Sequence, residues 1–282
     1  MRLGGSRRST NVEDYRSSPG GRPGLKFGLG TIVVLVVGYF LGINPLTMLG
    51  LMNNMQGTAP DSAPASAPPT DHDSDLVRAV LGETEDTWGA IFRQGGAQYP
   101  PPTLALFRGS IQSACGFASA ASGPFYCPGD RKVYIDLAFY DELAQQFQAP
   151  GDFAQAYVLA HEVGHHVQNL LGTLDKIQAA QQRMGEAERN QLQVRVELQA
   201  DGYAGIWAHH ADKDRGILEP GDIEEGLRAA SAVGDDTIQR RMQGEVVPET
   251  FTHGSAEQRM HWFTRGYQSG ELSSCDTFSS GG

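Results

Sequence analysis

The hydrophobic pattern changes character several times along the chain. Residues 1–24 are rich in Gly, Arg and Ser and have no apolar periodicity, which predicts a disordered leader. From Phe27 to Leu51 the chain is nearly free of charge, and its centre, Thr31 to Ile43, is β-branched and strongly apolar. A helix that spans a bilayer takes about 17–25 apolar residues. Residues 25–46 meet that length, although interrupted by four glycines and Pro45, and predict a single transmembrane helix. Residues 47–74 become a Pro/Ala/Ser-rich linker, which should be extended and semi-rigid.

The pattern of a folded domain begins near Asp75 and runs to residue 282. Leu76, Val77, Val80, Leu81, Trp88, Ile91 and Phe92 recur at helical spacing. Tyr99-Pro-Pro-Pro102 ends that helix. Thr103–Phe107, Ser113–Phe117 and Lys132–Leu137 read as extended, and from Asp152 the pattern is helical almost to the end. The fold class is therefore α+β and mostly helical, with a small sheet placed before the helices.

Charge adds an orientation. The net charge is −11, which argues against a nucleic-acid partner. The leader opposes that balance, with Arg2, Arg7, Arg8, Arg16, Arg22 and Lys26 against Glu13 and Asp14. Basic flanks stay cytoplasmic. This predicts a protein of the cell (inner) membrane, with a cytoplasmic N-terminus and the domain on the periplasmic or extracellular side. The rival is a cleaved signal peptide. No small-x-small site follows the apolar run directly, and Ala63-Pro-Ala65 and Ala65-Ser-Ala67 come about twenty residues late. Of three cysteines, Cys115 and Cys127 bracket a Gly/Ser/Ala-rich loop and are candidates for a disulfide in an oxidising compartment. Three buried free thiols are the alternative.

The candidate chemistry lies in His161-Glu-Val-Gly-His165. On a helix, residues four apart project from one face, so two imidazoles can bind one metal ion. Phe153, Ala156, Tyr157, Ala160, Gly164 and Val167 supply the helical pattern, with Asp152 as candidate N-cap. Two buried histidines need a partner, and Zn2+ is that partner. Glu162 sits beside the metal as the base for its water. The third ligand is sought downstream, in Glu197-Leu-Gln-Ala-Asp201 on a second buried helix whose candidate cap is Asn190. Small residues there let two helices approach. Glu197 then reaches the metal, and Asp201 accepts a hydrogen bond from a ligand histidine.

These residues resemble the bacterial family called "putative neutral zinc metallopeptidases", single-pass membrane proteins, and more broadly the gluzincins, in which Glu-x-x-x-Asp supplies the third ligand and an orienting aspartate. The resemblance also runs through Asn11-Val-Glu-Asp14, Gly123-Pro-Phe-Tyr-Cys-Pro128, Val133-Tyr-Ile-Asp-Leu137 and His253-Gly-Ser-Ala-Glu-Gln-Arg259. It implies a zincin-like domain that hydrolyses a peptide or protein substrate. One position departs: Gly202 stands where the family usually has cysteine, which implies that Cys275 has lost its partner and is free.

A zincin also needs a donor for the oxyanion. His253, just before the capping box Ser255-Ala-Glu-Gln258, is the first candidate. Arg259 and Tyr203 are alternatives. A second capping box is read at Asp222-Ile-Glu-Glu225, and the Ser113–Ser122 segment is the candidate place where a substrate chain approaches a sheet edge. Two other functions compete with proteolysis: a non-catalytic, zinc-stabilised envelope domain, and a metal-dependent hydrolase of a non-protein envelope bond.

Overall fold

A computed structural model describes residues 1–16, 71–119, 123–242 and 244–279. The expected transmembrane helix at 25–46 and most of the linker lie outside the described residues. No described helix is long and apolar enough to cross a membrane.

The first helix, α1 (His72–Gln94), begins inside the expected linker. The Asp71 carboxylate caps it, accepting from the Ser74 N–H at 3.0 Å. Leu76, Val77, Val80, Leu81, Trp88 and Phe92 are buried along it, as the periodicity indicates. A four-stranded sheet follows, ordered β1-β2-β6-β5, from Val12–Asp14, Thr103–Phe107, Lys132–Asp136 and Phe125–Cys127. β1, β2 and β6 are parallel, and β5 is an antiparallel edge. β2 and β6 read as near-continuous apolar runs because both are buried.

The segment expected to extend over Ser113–Phe117 instead reverses. It is the turn of a separate hairpin, β3 (Ser110–Ser113) with β4 (Gly116–Ser119). Gly116 takes a positive φ of 118° there, a conformation that glycine adopts without steric cost. Cys115 and Cys127 form a disulfide that ties this hairpin to β5.

The helices are α2 (Ala138–Gln145), α3 (Asp152–Leu170), α4 (Thr173–Gln181), α5 (Glu186–Arg215), α6 (Asp222–Ala232), α7 (Asp235–Met242) and α8 (Ala256–Ser269). α3 packs on α1, α5 and α6, and α8 lies along α5. That last approach is close because it is lined with glycine. A Cβ on Gly205 would collide with the Phe263 carbonyl, and one on Gly266 with the Gly202 carbonyl. A Cβ on Gly202 would sit 2.7 Å from Cys275 Sγ, and Cys275 is free and buried. Three caps differ from expectation: Gly151 and Gly221 stand where Asp152 and Asp222 were read, and α5 starts at Glu186, before Asn190.

The largest correction concerns the leader. Residues 1–16 are not disordered; they are part of the folded body. β1 pairs with β2, with Val12 opposite Leu104 and Asp14 opposite Leu106. Leu3 joins the core. The leader lies directly on α1 at Gly82, where a Cβ would come within 2.6 Å of the Arg7 carbonyl oxygen. Its basic residues meet acidic residues of α1 and its cap: Arg8 with Asp75 at 2.5 Å, Arg7 with Asp86 at 2.8 Å and Glu85 at 2.6 Å, Arg16 with Asp71 at 3.1 Å. Glu85 is buried and also accepts from Ser9 Oγ at 2.6 Å and Asn11 Nδ2 at 2.7 Å. The basic residues of the leader are thus matched by acidic residues of α1 and its cap.

Candidate metal centre

α3 and α5 carry the site. Gly164 lets them touch: a Cβ there would fall 2.9 Å from the Ala200 carbonyl oxygen. His161 and His165, one turn apart on α3, then face Glu197 on α5. His161 Nε2 is 3.1 Å and His165 Nε2 is 3.4 Å from Glu197 Oε2. All three ligand atoms lie within 4.8 Å of one another. Tetrahedral zinc, with ligands at about 2.0–2.2 Å, separates neighbouring ligand atoms by roughly 3.3 Å. The three residues therefore fit a zinc ion.

The surrounding residues fix each ligand. His161 Nδ1 donates to Asp201 Oδ1 at 2.8 Å, which leaves Nε2 for the metal. Asp201 is wholly buried and also accepts from the Tyr157 hydroxyl at 2.5 Å and from Arg259 Nε at 2.7 Å and Nη2 at 2.9 Å. Arg259 Nη2 also lies 3.3 Å from His161 Nδ1. Both nitrogens are donors in this arrangement, so that approach is a contact and the Nη2 hydrogens serve Asp201 and Tyr157. His165 Nδ1 pairs with Gln168 Oε1 at 2.9 Å. The Gln168 amide donates to the Val196 carbonyl at 2.8 Å, which fixes which end of the amide faces His165. Gln193 donates to Glu197 Oε1 at 3.0 Å.

The electrostatics of the metal-free centre follow from this packing. Burial opposes charge on His161, but Asp201 and then Glu197 outweigh it and push its pKa up to about 10. Burial likewise opposes charge on His165, and Glu197 raises its pKa. Burial alone would raise Asp201; Arg259 and His161 instead hold it down to about 2. Glu197 lies well below the usual carboxylate range because the two histidines overcome its burial. The centre thus keeps its carboxylates ionised, as ligation requires.

Glu162 is buried beside His161 on α3. The structure does not bring His253 into the three-residue cluster. Its side chain is 53% exposed, with Nδ1 3.2 Å from Asp235 Oδ1. Asp235 also accepts the backbone N–H groups of residues 252, 253 and 254. A Cβ on the next residue, Gly254, would meet the side chains of Leu198 and Val194 on α5. The capping box at Ser255 is formed, with its two bonds at 3.0 and 3.2 Å. Tyr203 packs edge-on against Trp88 at 5.6 Å and belongs to the core. Arg259 is engaged with Asp201 rather than free for an oxyanion.

Two residues were under-read in the sequence. Tyr157 stands one turn before His161 on the same face, where its spacing alone marks it as apolar packing. Arg259 shares a helical face with Ala256, Trp262 and Phe263, all buried. A lone cation on an apolar face is a signal of a buried anion elsewhere.

The sequence profile of the family described as "Putative neutral zinc metallopeptidase" matches residues 1–278. An uncharacterized protein of Escherichia coli strain K12, YpfJ, is 46% identical over 284 residues, covering 99% of each chain. An uncharacterized protein of Mycobacterium tuberculosis strain H37Rv is 46% identical over 214 residues, covering 72% of this chain and 71% of its own length. No solved structure matches the chain.

Proposed function

The chain belongs to the family so described, and from that premise we propose that it is a zinc-dependent peptidase working at the centre of His161, His165 and Glu197. The observation that carries the reading is the position of Glu197, which a separate helix brings to 3.1 and 3.4 Å from the two imidazole Nε2 atoms. Zinc, when bound, supplies the Lewis acidity that makes water a nucleophile near neutral pH. Glu162 receives the proton of that water and delivers it to the leaving amine. His253, held at Nδ1 by Asp235 at 3.2 Å, is the residue we assign to donate to the carbonyl oxygen of the substrate.

Substrate entry fits the sheet better than the hairpin named at first. β5 is an edge strand, antiparallel to its neighbour. Tyr126 ties it to the metal helix, accepting from Asn169 at 2.9 Å and donating to His166 Nδ1 at 3.0 Å. An extended peptide added at that edge would lie beside α3. A sheet edge next to the ligand helix also supports a zincin-like reading of the fold. The Cys115–Cys127 disulfide supports a domain placed in an oxidising compartment.

The test is Glu162→Gln in the full chain, assayed for bound zinc and for cleavage of an unbiased peptide library. Zinc content should stay at the wild-type level while turnover falls about 100- to 10,000-fold, the range for a lost general base. Equal cleavage by the variant defeats the mechanism. A wild-type protein that holds zinc, unfolds on chelation and cuts no peptide is instead a zinc-stabilised envelope domain, and cleavage of envelope amides alone makes it a hydrolase of another bond.

A further inference from the structure

We propose that Arg259 is a positioning residue of the metal centre, acting through Asp201 to fix the ring of His161. The inference rests on the zinc reading above. Arg259 reaches the site from α8, the last helix, and is 3% exposed. It grips Asp201 side-on, Nε to Oδ2 at 2.7 Å and Nη2 to Oδ1 at 2.9 Å, the bidentate geometry that sets the plane of a carboxylate. Asp201 Oδ1 is the atom that receives His161 Nδ1–H. The plane set by the guanidinium therefore fixes the azimuth of the imidazole and the direction of its Nε2 lone pair. Tyr157 closes the arrangement, donating to Asp201 Oδ1 and accepting from Arg259 Nη2 at 3.2 Å.

The glycine-lined approach of α8 to α5 is what allows this reach, because side chains at 202, 205 and 266 would hold the helices apart. Folding of the C-terminal helix is thereby tied to the readiness of the metal centre.

The test is zinc affinity, measured by competition with a chromophoric chelator on the full chain, for wild type, Arg259→Met and Arg259→Lys. Loss of an outer partner of a ligand histidine typically weakens metal binding about 10–100-fold, and Arg259→Met should fall in that range. Lysine restores the charge but not the fork, so Arg259→Lys should fold and bind between the two. The visible spectrum of the cobalt-substituted Arg259→Lys protein should shift, which a purely structural role would not cause. Wild-type affinity and an unchanged cobalt spectrum in folded Arg259→Lys overturn the proposal. Should wild type itself take up no zinc, the zinc reading fails instead.

An independent observation concerns the leader, and from it we infer that residues 1–16 and the helical domain lie on the same side of any membrane that holds this protein. β1 is hydrogen-bonded into the sheet, and Arg16 joins Asp14 at 2.7 Å, Asp71 at 3.1 Å and Ser74 Oγ at 2.5 Å. Residues 16 and 71 thus meet at one place on the fold. The opposed arrangement expected from basic flanks would remove β1 and leave buried Glu85 without Ser9, Asn11 and Arg7. Satisfied by α1, those arginines are not free to hold the leader in the cytoplasm.

Gly5 and Glu257 are exposed, and Gly5 has open space at its Cβ position. Gly5→Cys and Glu257→Cys, in the full chain in intact spheroplasts, would be treated with a membrane-impermeant maleimide before and after lysis. Both should label together, either without lysis or only after it. Labelling of one without lysis and of the other only after it overturns the inference.

Discussion

Two assemblies of charge hold distant parts of this chain together, and they differ in almost every physical respect. One is the buried set of Tyr157, His161, Asp201 and Arg259, where a wholly buried carboxylate is met by three residues. The other joins the leader to α1 through Arg7, Arg8 and Arg16, most of whose carboxylate partners are half exposed. In the first, water cannot replace a lost partner, so each member depends on the others. In the second, solvent screens the Arg8–Asp75 and Arg7–Asp86 pairs, and the leader is held by its strand, by Leu3 and by buried Glu85, with the exposed ion pairs adding register. Burial, and not the number of ion pairs, decides which assembly is critical.

The sharpest way to break this contrast is Asp201→Ala against Asp75→Ala. The first strands Arg259 in the interior and should cost about 3–5 kcal/mol. The second should cost under ~1 kcal/mol. Thermal unfolding of the two variants side by side measures the difference, and equal costs would remove the distinction. Next in size is Gly82→Val, which touches no charge. It drives a side chain into the Arg7 backbone and should cost about 1–3 kcal/mol, with the leader becoming cleavable by protease while the helical body resists.

pH sharpens the comparison further. Asp201 has a folded pKa of about 2, below its ordinary 3.8. Its contribution is present above pH 4 and is lost as pH falls towards 2. His161 runs the other way in the metal-free protein. With a folded pKa of about 10 against 6.5, its contribution is complete below pH 6.5 and fades as pH rises towards 10. Zinc must displace that proton, so zinc affinity should rise with pH across this range, with protons released on binding. Calorimetry in two buffers of different ionisation enthalpy counts those protons, and a pH-independent affinity would refute the assignment. The smallest effect is the salt-dependent part of Arg8→Ala, under ~1 kcal/mol, which should disappear in about 1 M salt, where the Debye length is near 3 Å, and leave only the loss of its bonds to the Leu3 and Ser6 carbonyls.

Sequence by itself determined what depends on local spacing. The turn between His161 and His165, the placement of Glu197 and Asp201 on one helical face, the course of α1 and the burial of β2 and β6 all follow from periods of 3.6 or 2, or from continuous apolar runs. Glu197 was legible as a ligand because a carboxylate among apolar residues needs a reason to be there. Tertiary structure decided what depends on distant partners. Arg259 is 58 residues from the Asp201 it grips, and no periodicity connects them. β1 shows no apolar alternation because only Val12 of its three residues packs on the core, while Glu13 and Asp14 pair with Lys132 and Arg16, so it resembles a coil until β2 is in place. The docking of the basic leader was not legible because, Asp14 apart, the acids that meet Arg7, Arg8 and Arg16 lie more than fifty residues later, from Asp71 onward. In each case a local pattern is set by the geometry of the backbone alone, whereas pairing between remote charges is set by which surfaces the hydrophobic core brings together.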